Sequence, residues 1–148
     1  MRRTKLFYSN ERGSTMVEFA IAAMVFLTAM FGVIEFGRAI WTHNALTDAA
    51  RRGARYAALH SSGDVESVKN VVVYGNADGG DKPMLPNLSL ENVEVNYSEF
   101  AVNRGTVSVS VTNYQFEFIV PIIGSSITMP AYSTTLTGES VGFVPETL

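Results

Sequence analysis

The sequence contains no cysteine, so disulfide bonds and thiolate chemistry are excluded, and a domain outside the cytoplasm would be held by packing alone. Proline is absent from residues 14–59. Because proline interrupts helices, its absence permits one unbroken helix over these residues. Basic residues are scarce after Leu59, where three of them accompany ten acidic residues. Nucleic-acid binding depends on clustered Lys and Arg, so this part of the chain is unsuited to it.

The length and the charge distribution indicate a membrane-anchored protein with one small domain. The chain has 148 residues, of which 47% are hydrophobic and 17% charged, a composition typical of ordered proteins. The length allows one membrane helix and one small domain. The whole chain carries a net charge of −3 and residues 1–13 carry +3, which leaves −6 for the remainder. Positive charge ahead of an apolar run favours a cytoplasmic N-terminus.

An apolar run follows this basic segment. Residues 16–34 would form about 28 Å of helix, close to the thickness of a hydrocarbon core. An ordinary secretory signal is disfavoured because the run is longer than usual and Glu35 and Arg38 follow it in place of a small-residue cleavage site. We predict one helix from Ser14 to about Leu59, with Ser14 or Thr15 as its N-cap.

The second half of the predicted helix is amphipathic. Trp41 lies near the outer membrane edge, where an interfacial aromatic residue is expected. Small residues recur every fourth position in two stripes, a spacing that permits close approach of backbones. The stripes are Ala45, Ala49, Gly53 and Ala57, and Ala50, Ala54 and Ala58.

The remaining sequence indicates a small α+β domain. Asp64 can cap a short helix through about Val73, and residues 76–87 are typical of a loop. Polar and apolar residues alternate over 92–97 and 107–112, which predicts an antiparallel hairpin with a turn at residues 103–105. Residues 115–123 predict an edge strand limited by Pro121, and 127–140 predict a last strand. The predicted fold is α+β: a long N-terminal helix, transmembrane in its first half and amphipathic in its second, packed on a small antiparallel sheet.

The segment from Gly13 to Phe19 is the most informative motif. A basic leader ends in Gly13, Glu18 follows five positions later, and the aromatic Phe19 comes next. A carboxylate at the start of a membrane segment is costly and rare without a function. The arrangement resembles the type IV prepilin signal of Flp/Tad pilins. Sequences further along, from Glu35-Phe36-Gly37-Arg38 to Tyr56-Ala57, resemble the TadE family of minor pilins, or pseudopilins.

The resemblance implies roles for individual residues. A prepilin peptidase would cut between Gly13 and Ser14. Glu18, followed by Phe19, would become the fifth mature residue and pair with the N-terminal amine of a neighbouring subunit. The family motif and helix-packing positions would be Glu35, Phe36, Gly37, Arg38, Ala49, Gly53 and Ala57.

The resemblance also implies an organisation and a set of partners. The expected segments are a cytoplasmic leader (1–13), a transmembrane helix (14–35), its amphipathic continuation (36–60) and an extracytoplasmic domain (61–148). The chain would be a single-pass protein of the bacterial inner membrane, with its N-terminus inside and its domain outside, and could be incorporated into an extracellular pilus that serves adhesion. Implied partners are the prepilin peptidase, the major Flp pilin, a second pseudopilin, the inner-membrane assembly platform with its ATPase, and the lipid bilayer. No cofactor is expected.

Two charged groups on the helix allow two interpretations each. Glu35 and Arg38 lie three residues apart and could form a local ion pair or contact a partner. Arg51, Arg52 and Arg55 could meet acidic groups of the domain or of lipids, or could form a solvated face whose stems cover apolar surface.

Other sites are weakly indicated. His43 and His60 are isolated, so a zinc site is not expected. Asn76, Asp78 and Asp81 lie in a glycine-rich loop but lack the terminal glutamate of an EF-hand, which favours an ordinary turn.

Three classes of function compete. The first is the processed minor pilin. The second is an uncleaved single-pass anchor whose outer domain binds cell-wall polymer or a secretion partner. The third, a membrane-tethered hydrolase, would need a cleft with converging carboxylates, whereas Glu91, Glu94 and Glu99 are expected to face solvent.

Overall fold

The computed structural model of the protein describes residues 11–60, 64–101, 104–120 and 126–137. The chain forms two compact units, Met1–Gly37 and Arg38–Leu148. The described part of the first unit is the front of a long helix. The second unit contains the rear of that helix, a second helix and all the described strands.

The long helix, α1, extends over Glu11–Leu59. A helix of this length was predicted from the absence of proline and is confirmed, including its end at Leu59. Its start differs from the prediction, because Ser14 and Thr15 lie inside the helix and do not cap it. Glutamate and arginine are good helix formers and an isolated glycine costs only about 1 kcal/mol, so nothing at residues 11–13 stops the helix.

The first unit exposes the apolar side chains of α1. From Gly13 to Ile34 every residue is exposed except the half-buried Ala23. Among the described residues, α1 is the one helix long and apolar enough to cross a membrane. Contact of these apolar side chains with water is unfavourable, whereas contact with lipid tails is not. By its length and composition, this helix could span a bilayer.

The second helix, α2, occupies Val65–Tyr74 in the second unit. It was predicted from the spacing of its valines, and Val68, Val72 and Val73 are buried. Asp64 holds the N-cap position, as expected, but its side chain makes no capping hydrogen bond. Gly75 ends the helix in the left-handed conformation, at φ 76°, and its N–H donates to the carbonyl of Val71.

The predicted hairpin is also confirmed. Strand β1, Val93–Ala101, pairs antiparallel with β2, Arg104–Val111, after a short 3₁₀ helix at Leu90–Asn92. The valines of β2 are buried and the intervening Ser108 and Ser110 are half-buried, so one face of the hairpin covers the core. Of the predicted turn at 103–105, residue 103 lies outside the described residues, while residues 104 and 105 already belong to β2.

The C-terminal part of the chain departs from the prediction. The expected strand over 115–123 is short, with β3 limited to Gln115–Glu117, and residues 121–125 lie outside the described residues. The expected single strand over 127–140 is two strands, β4 at Ser126–Thr128 and β5 at Tyr132–Thr137.

Proline explains this division. Pro130 has no N–H for a sheet ladder, so a continuous strand would lose a hydrogen bond there. β4 instead pairs with β3 in a two-stranded ribbon, and the N–H of Met129 donates to the carbonyl of Tyr114. β5 pairs with β2 and completes a three-stranded sheet in the order β1-β2-β5.

The core of the second unit lies between the rear of α1, α2 and the strands. The α+β fold with a long helix packed on a small antiparallel sheet is therefore confirmed. The buried apolar side chains come from every one of these layers: Leu46, Ala49, Ala50, Ala54, Ala57, Val68, Val72, Val73, Leu85, Leu88, Val93, Val107, Val109, Val111, Tyr114, Phe116 and Tyr132.

Candidate functional site

The candidate processing and assembly segment lies on the exposed front of α1. Its two central residues, Ser14 and Glu18, are four positions apart and therefore one helical turn, or about 6 Å, apart along the axis. They share a face of the helix whose residues are Gly13, Ser14, Val17, Glu18, Ile21 and Ala22. A cut before Ser14 would therefore place a new amine on the face that carries the Glu18 carboxylate.

Gly13 has no packing role among the described residues. A Cβ atom built on it would meet no described atom within 4 Å. The conformation of the residue is helical, which most other residues adopt more readily than glycine. Neither packing nor backbone conformation within the described chain therefore explains a glycine at this position.

Glu18 is a charged side chain in apolar surroundings. It is exposed, and so are the neighbouring apolar side chains of Val17, Phe19 and Ile21. If lipid or another helix covers this surface, the carboxylate loses its water and requires a cation or hydrogen-bond donors in exchange. An N-terminal amine is a group that meets this requirement.

The motif from Glu35 to Arg38 spans the boundary between the two units. Glu35 is 8% exposed, whereas Phe36 is 68% exposed. A Cβ on Gly37 would meet no described atom within 4 Å. The local pair between Glu35 and Arg38 and its partner-contact alternative both stay predictions.

Arg38 contributes to the structure of the second unit. Its guanidinium lies over the ring of Phe116, 5.1 Å from the centroid, and donates a hydrogen bond of 3.5 Å to the carbonyl of Glu117. The stacking is a cation–π contact worth about 0.5–1 kcal/mol at an exposed site. No sequence pattern indicated these contacts, because Arg38 and Glu117 are 79 positions apart.

The small-residue stripes are used inside this chain. Ala49, Ala57 and Gly53 are buried in the core of the second unit. A Cβ on Gly53 would overlap Cγ2 of Val72 and lie 3.2 Å from Cγ1 of Val109. Gly53 therefore permits the close approach of α1 to both α2 and β2, and this stripe packs on the chain's own domain.

The three arginines at the rear of α1 are exposed. Arg51 forms an ion pair of 3.3 Å with Asp48, one turn earlier in the helix. Arg52 lies 3.3 Å from the sulfur of Met84. The contacts of Arg51 and Arg52 are local or run along the surface of the unit, as expected for a largely solvated face.

The histidines make aromatic and hydrogen-bond contacts. Nδ1 of His43 lies 3.0 Å from the hydroxyl of Tyr132, and the two rings meet edge to face. Burial raises the pKa of Tyr132 above its usual value. His60 stacks on Tyr56 and lies within hydrogen-bond distance of its carbonyl. No sequence pattern indicated the His43–Tyr132 contact, which joins residues 89 positions apart.

The loop residues considered for calcium form a turn. The side-chain oxygen of Asn76 accepts a hydrogen bond from the N–H of Asp78, and the backbone carbonyl of Asn76 accepts one from the N–H of Gly79. Within the described ranges, no group of three or more His, Asp or Glu residues could hold a metal ion. Glu91 and Glu94 are exposed, as expected, and the side chain of Glu99 is not among those that the structure describes.

Comparison with known proteins bears on the front of α1 and most of its rear. A model of the family described as "TadE-like protein" matches residues 13–55. No curated protein and no solved structure matches the chain significantly. The matched range starts at Gly13 and contains Glu18, the Glu35–Arg38 motif and Gly53. Residues 13–55 are thus similar to the TadE-like family, which is consistent with a TadE-like protein of Tad pilus systems.

Proposed function

We propose that this protein is a minor pilin, or pseudopilin, of a Tad (Flp, type IVb) pilus, and that a prepilin peptidase processes it after Gly13. The observation that carries the proposal is the exposed face of α1 with Gly13, Ser14 and Glu18 on it. Packing within the described chain does not explain the glycine, and a carboxylate within an apolar surface requires a partner. Both features are explained if other proteins recognise this face.

Cleavage and assembly would use the same helix face in succession. The peptidase removes the leader and creates an amine on Ser14. The carboxylate of Glu18 then pairs with the amine of a neighbouring subunit, in surroundings of low dielectric where opposite charges attract strongly. Apolar side chains such as Phe19 and Phe26 supply the surface that neighbouring helices or lipid cover.

The role in this proposal is structural. The positive leader keeps the N-terminus in the cytoplasm, α1 crosses the inner membrane, and the acidic second unit lies outside. One face of the rear of α1, including Gly53, is buried in the core of the second unit. The exposed front of α1 is therefore the part of the helix that can contact other pilus subunits. The proposed partners are the prepilin peptidase, the major Flp pilin, a second pseudopilin and the inner-membrane assembly platform.

The test of the assembly role is the substitution Glu18→Gln, which removes the charge and keeps the shape. We expect the variant to reach the membrane at normal levels and to be lost from assembled pili, as measured by immunoblotting of membranes and of sheared pili. Asp48→Asn is the matched control, because it removes one exposed carboxylate from the rear of the same helix. Normal incorporation of Glu18→Gln would contradict the pairing.

The test of the processing site is Gly13→Leu. The substitution meets no steric obstacle in the described chain, so the protein should fold and insert while the leader is retained. Gly32→Leu, at another glycine with open surroundings on the same helix, should leave processing intact. An unchanged mature size for Gly13→Leu would refute the site.

A further inference from the structure

The second unit exposes large apolar side chains beside its two-stranded ribbon. Ile119 follows β3 by two residues and is 70% exposed, and Ile127, the central residue of β4, is 52% exposed. Trp41 on α1 is 60% exposed. Single exposed apolar residues need no explanation, so the location of these three on the unit decides whether they form a surface with a function.

Contacts along α1 fix the location of the ribbon. Arg38, the first residue of the second unit, stacks on Phe116 of β3, whereas Gly53 packs against Val109 of β2. Fifteen residues separate these helix positions, which corresponds to about 22 Å along the axis. The β3–β4 ribbon therefore lies at the end of the unit where α1 enters it, and the middle of the sheet lies about 22 Å further on.

In the sequence, the start of the second unit directly follows the apolar run of α1. Arg38 follows Ile34 by four residues, so the helix rises only about 6 Å between them. Trp41 comes less than one turn later. A tryptophan and an arginine with an apolar stem are the residues that typically lie in the headgroup region of a bilayer. The proximity of these residues to a bilayer rests on the membrane span of α1 in the proposed function.

We propose that the β3–β4 ribbon and Trp41 form a membrane-contact surface, with Ile119 and Ile127 inserted among the lipid headgroups of the bilayer that α1 crosses. The occupant is lipid because chain continuity brings this end of the unit to the bilayer. The contact depends on apolar insertion, because the ribbon carries the acidic Glu117 as well as the contact with the basic Arg38, and the unit as a whole is acidic. Binding of this surface should therefore be insensitive to salt and to anionic lipid.

The absence of native cysteine makes the test direct. Single variants Ile119→Cys and Ile127→Cys of the full chain carry an environment-sensitive fluorophore and are reconstituted into phosphatidylcholine vesicles. Lipids brominated near the headgroup should quench both labels several-fold more strongly than a label on Glu66→Cys, an exposed site on α2. Iodide in the aqueous phase should show the opposite order.

A label on Phe26→Cys, within the apolar run, separates this inference from its premise. Deep-brominated lipid should quench it. If it does, while the labels at 119 and 127 respond to iodide as the Glu66 label does, the membrane-contact surface is overturned and the span stands. If the label at 26 is not quenched, both fall. Shielding of 119 and 127 from iodide without quenching by lipid would indicate a second copy of the chain and would also overturn the inference. The vesicles contain no peptidase, so the result does not depend on cleavage after Gly13.

Discussion

The front and the rear of α1 are parts of one helix with opposite surroundings. In the rear, Gly53 and its neighbouring alanines pack against α2 and β2. In the front, a Cβ atom on Gly13 or Gly32 would meet no described atom within 4 Å, and the apolar side chains are exposed. Most of the rear and all of the front after Arg12 match the same family model. Packing within the chain therefore explains the glycine at position 53. It does not explain the glycine at position 13.

Residues in the rear of α1 thus stabilise the second unit, whereas residues in the front are exposed for contact with lipid or other proteins. Substitutions in the rear should change the stability of the second unit. Substitutions in the front should leave that stability unchanged and affect events outside the chain, such as processing, insertion or assembly. Unfolding of the second unit, followed by the near-ultraviolet signal of its tyrosines in detergent, tests this distinction.

The largest effect is expected for Leu46→Ala. Leu46 is fully buried in the second unit, and truncation of a buried leucine costs about 2–5 kcal/mol of unfolding free energy. The matched substitution Leu27→Ala, in the exposed front, should change the unfolding of the second unit by less than about 0.5 kcal/mol. Equal losses for the two variants would show that the front of α1 stabilises the second unit as much as the rear does.

A smaller loss is expected for Gly53→Ala. The added methyl group would overlap Val72, whose β-branched side chain has little rotamer freedom, and such overpacking costs about 1–3 kcal/mol. Gly32→Ala should be neutral, or should favour the helix by up to about 1 kcal/mol, because alanine is the better helix former. The denaturant midpoints of both variants measure the difference, and a stabilised Gly53→Ala would show that the approach of the two helices is not tight.

The next prediction is a loss of stability of the second unit at alkaline pH. Burial raises the pKa of Tyr97, Tyr114 and Tyr132 above the usual value of 10.0. A phenol with a raised folded-state pKa holds its proton more firmly in the folded state, so its contribution to stability is complete below pH 10 and declines as the pH rises through the folded pKa. Stability should therefore fall above about pH 10, and Tyr132→Phe should make the fall shallower. Stability that is constant to pH 11 in the unsubstituted protein would contradict this.

The smallest effect is expected at the surface of the rear. The ion pair of Asp48 and Arg51 is exposed on both sides, and such pairs contribute about 0.3–0.5 kcal/mol or less. Asp48→Ala should accordingly shift the urea midpoint only slightly, and added salt should remove the shift. A loss above 1 kcal/mol would show that the pair with Arg51 is more than a solvated surface contact.

Local patterns predicted the elements of the fold that depend on local rules. The long helix followed from the missing proline, α2 from the spacing of its valines, and the β1–β2 hairpin from strict alternation of apolar and polar residues. The division between β4 and β5 was not predicted, although Pro130 lies at the break. The apolar and β-branched residues around Pro130 fit a strand equally well on both sides, and the pairing of β4 with β3 depends on residues distant in the sequence.

The candidate site was located from the sequence because its signal is local. The spacing of Gly13, Ser14 and Glu18 fits within two helical turns. The contacts of Arg38 with Phe116 and of His43 with Tyr132 could not be predicted, because folding brings together partners about 80 to 90 positions apart. The stripe of small residues predicted a helix-packing position at Gly53 but not its partner, since such a stripe fits a helix of the same chain as well as one of another subunit.

The proposed function requires that a prepilin peptidase recognises the front of α1 and cuts after Gly13. The most direct measurement is the intact mass and N-terminal sequence of the protein from native membranes, with and without the prepilin peptidase. We expect a chain that starts at Ser14 only when the peptidase is present. A retained leader in both samples would contradict this expectation and would favour an uncleaved anchor whose outer domain acts alone.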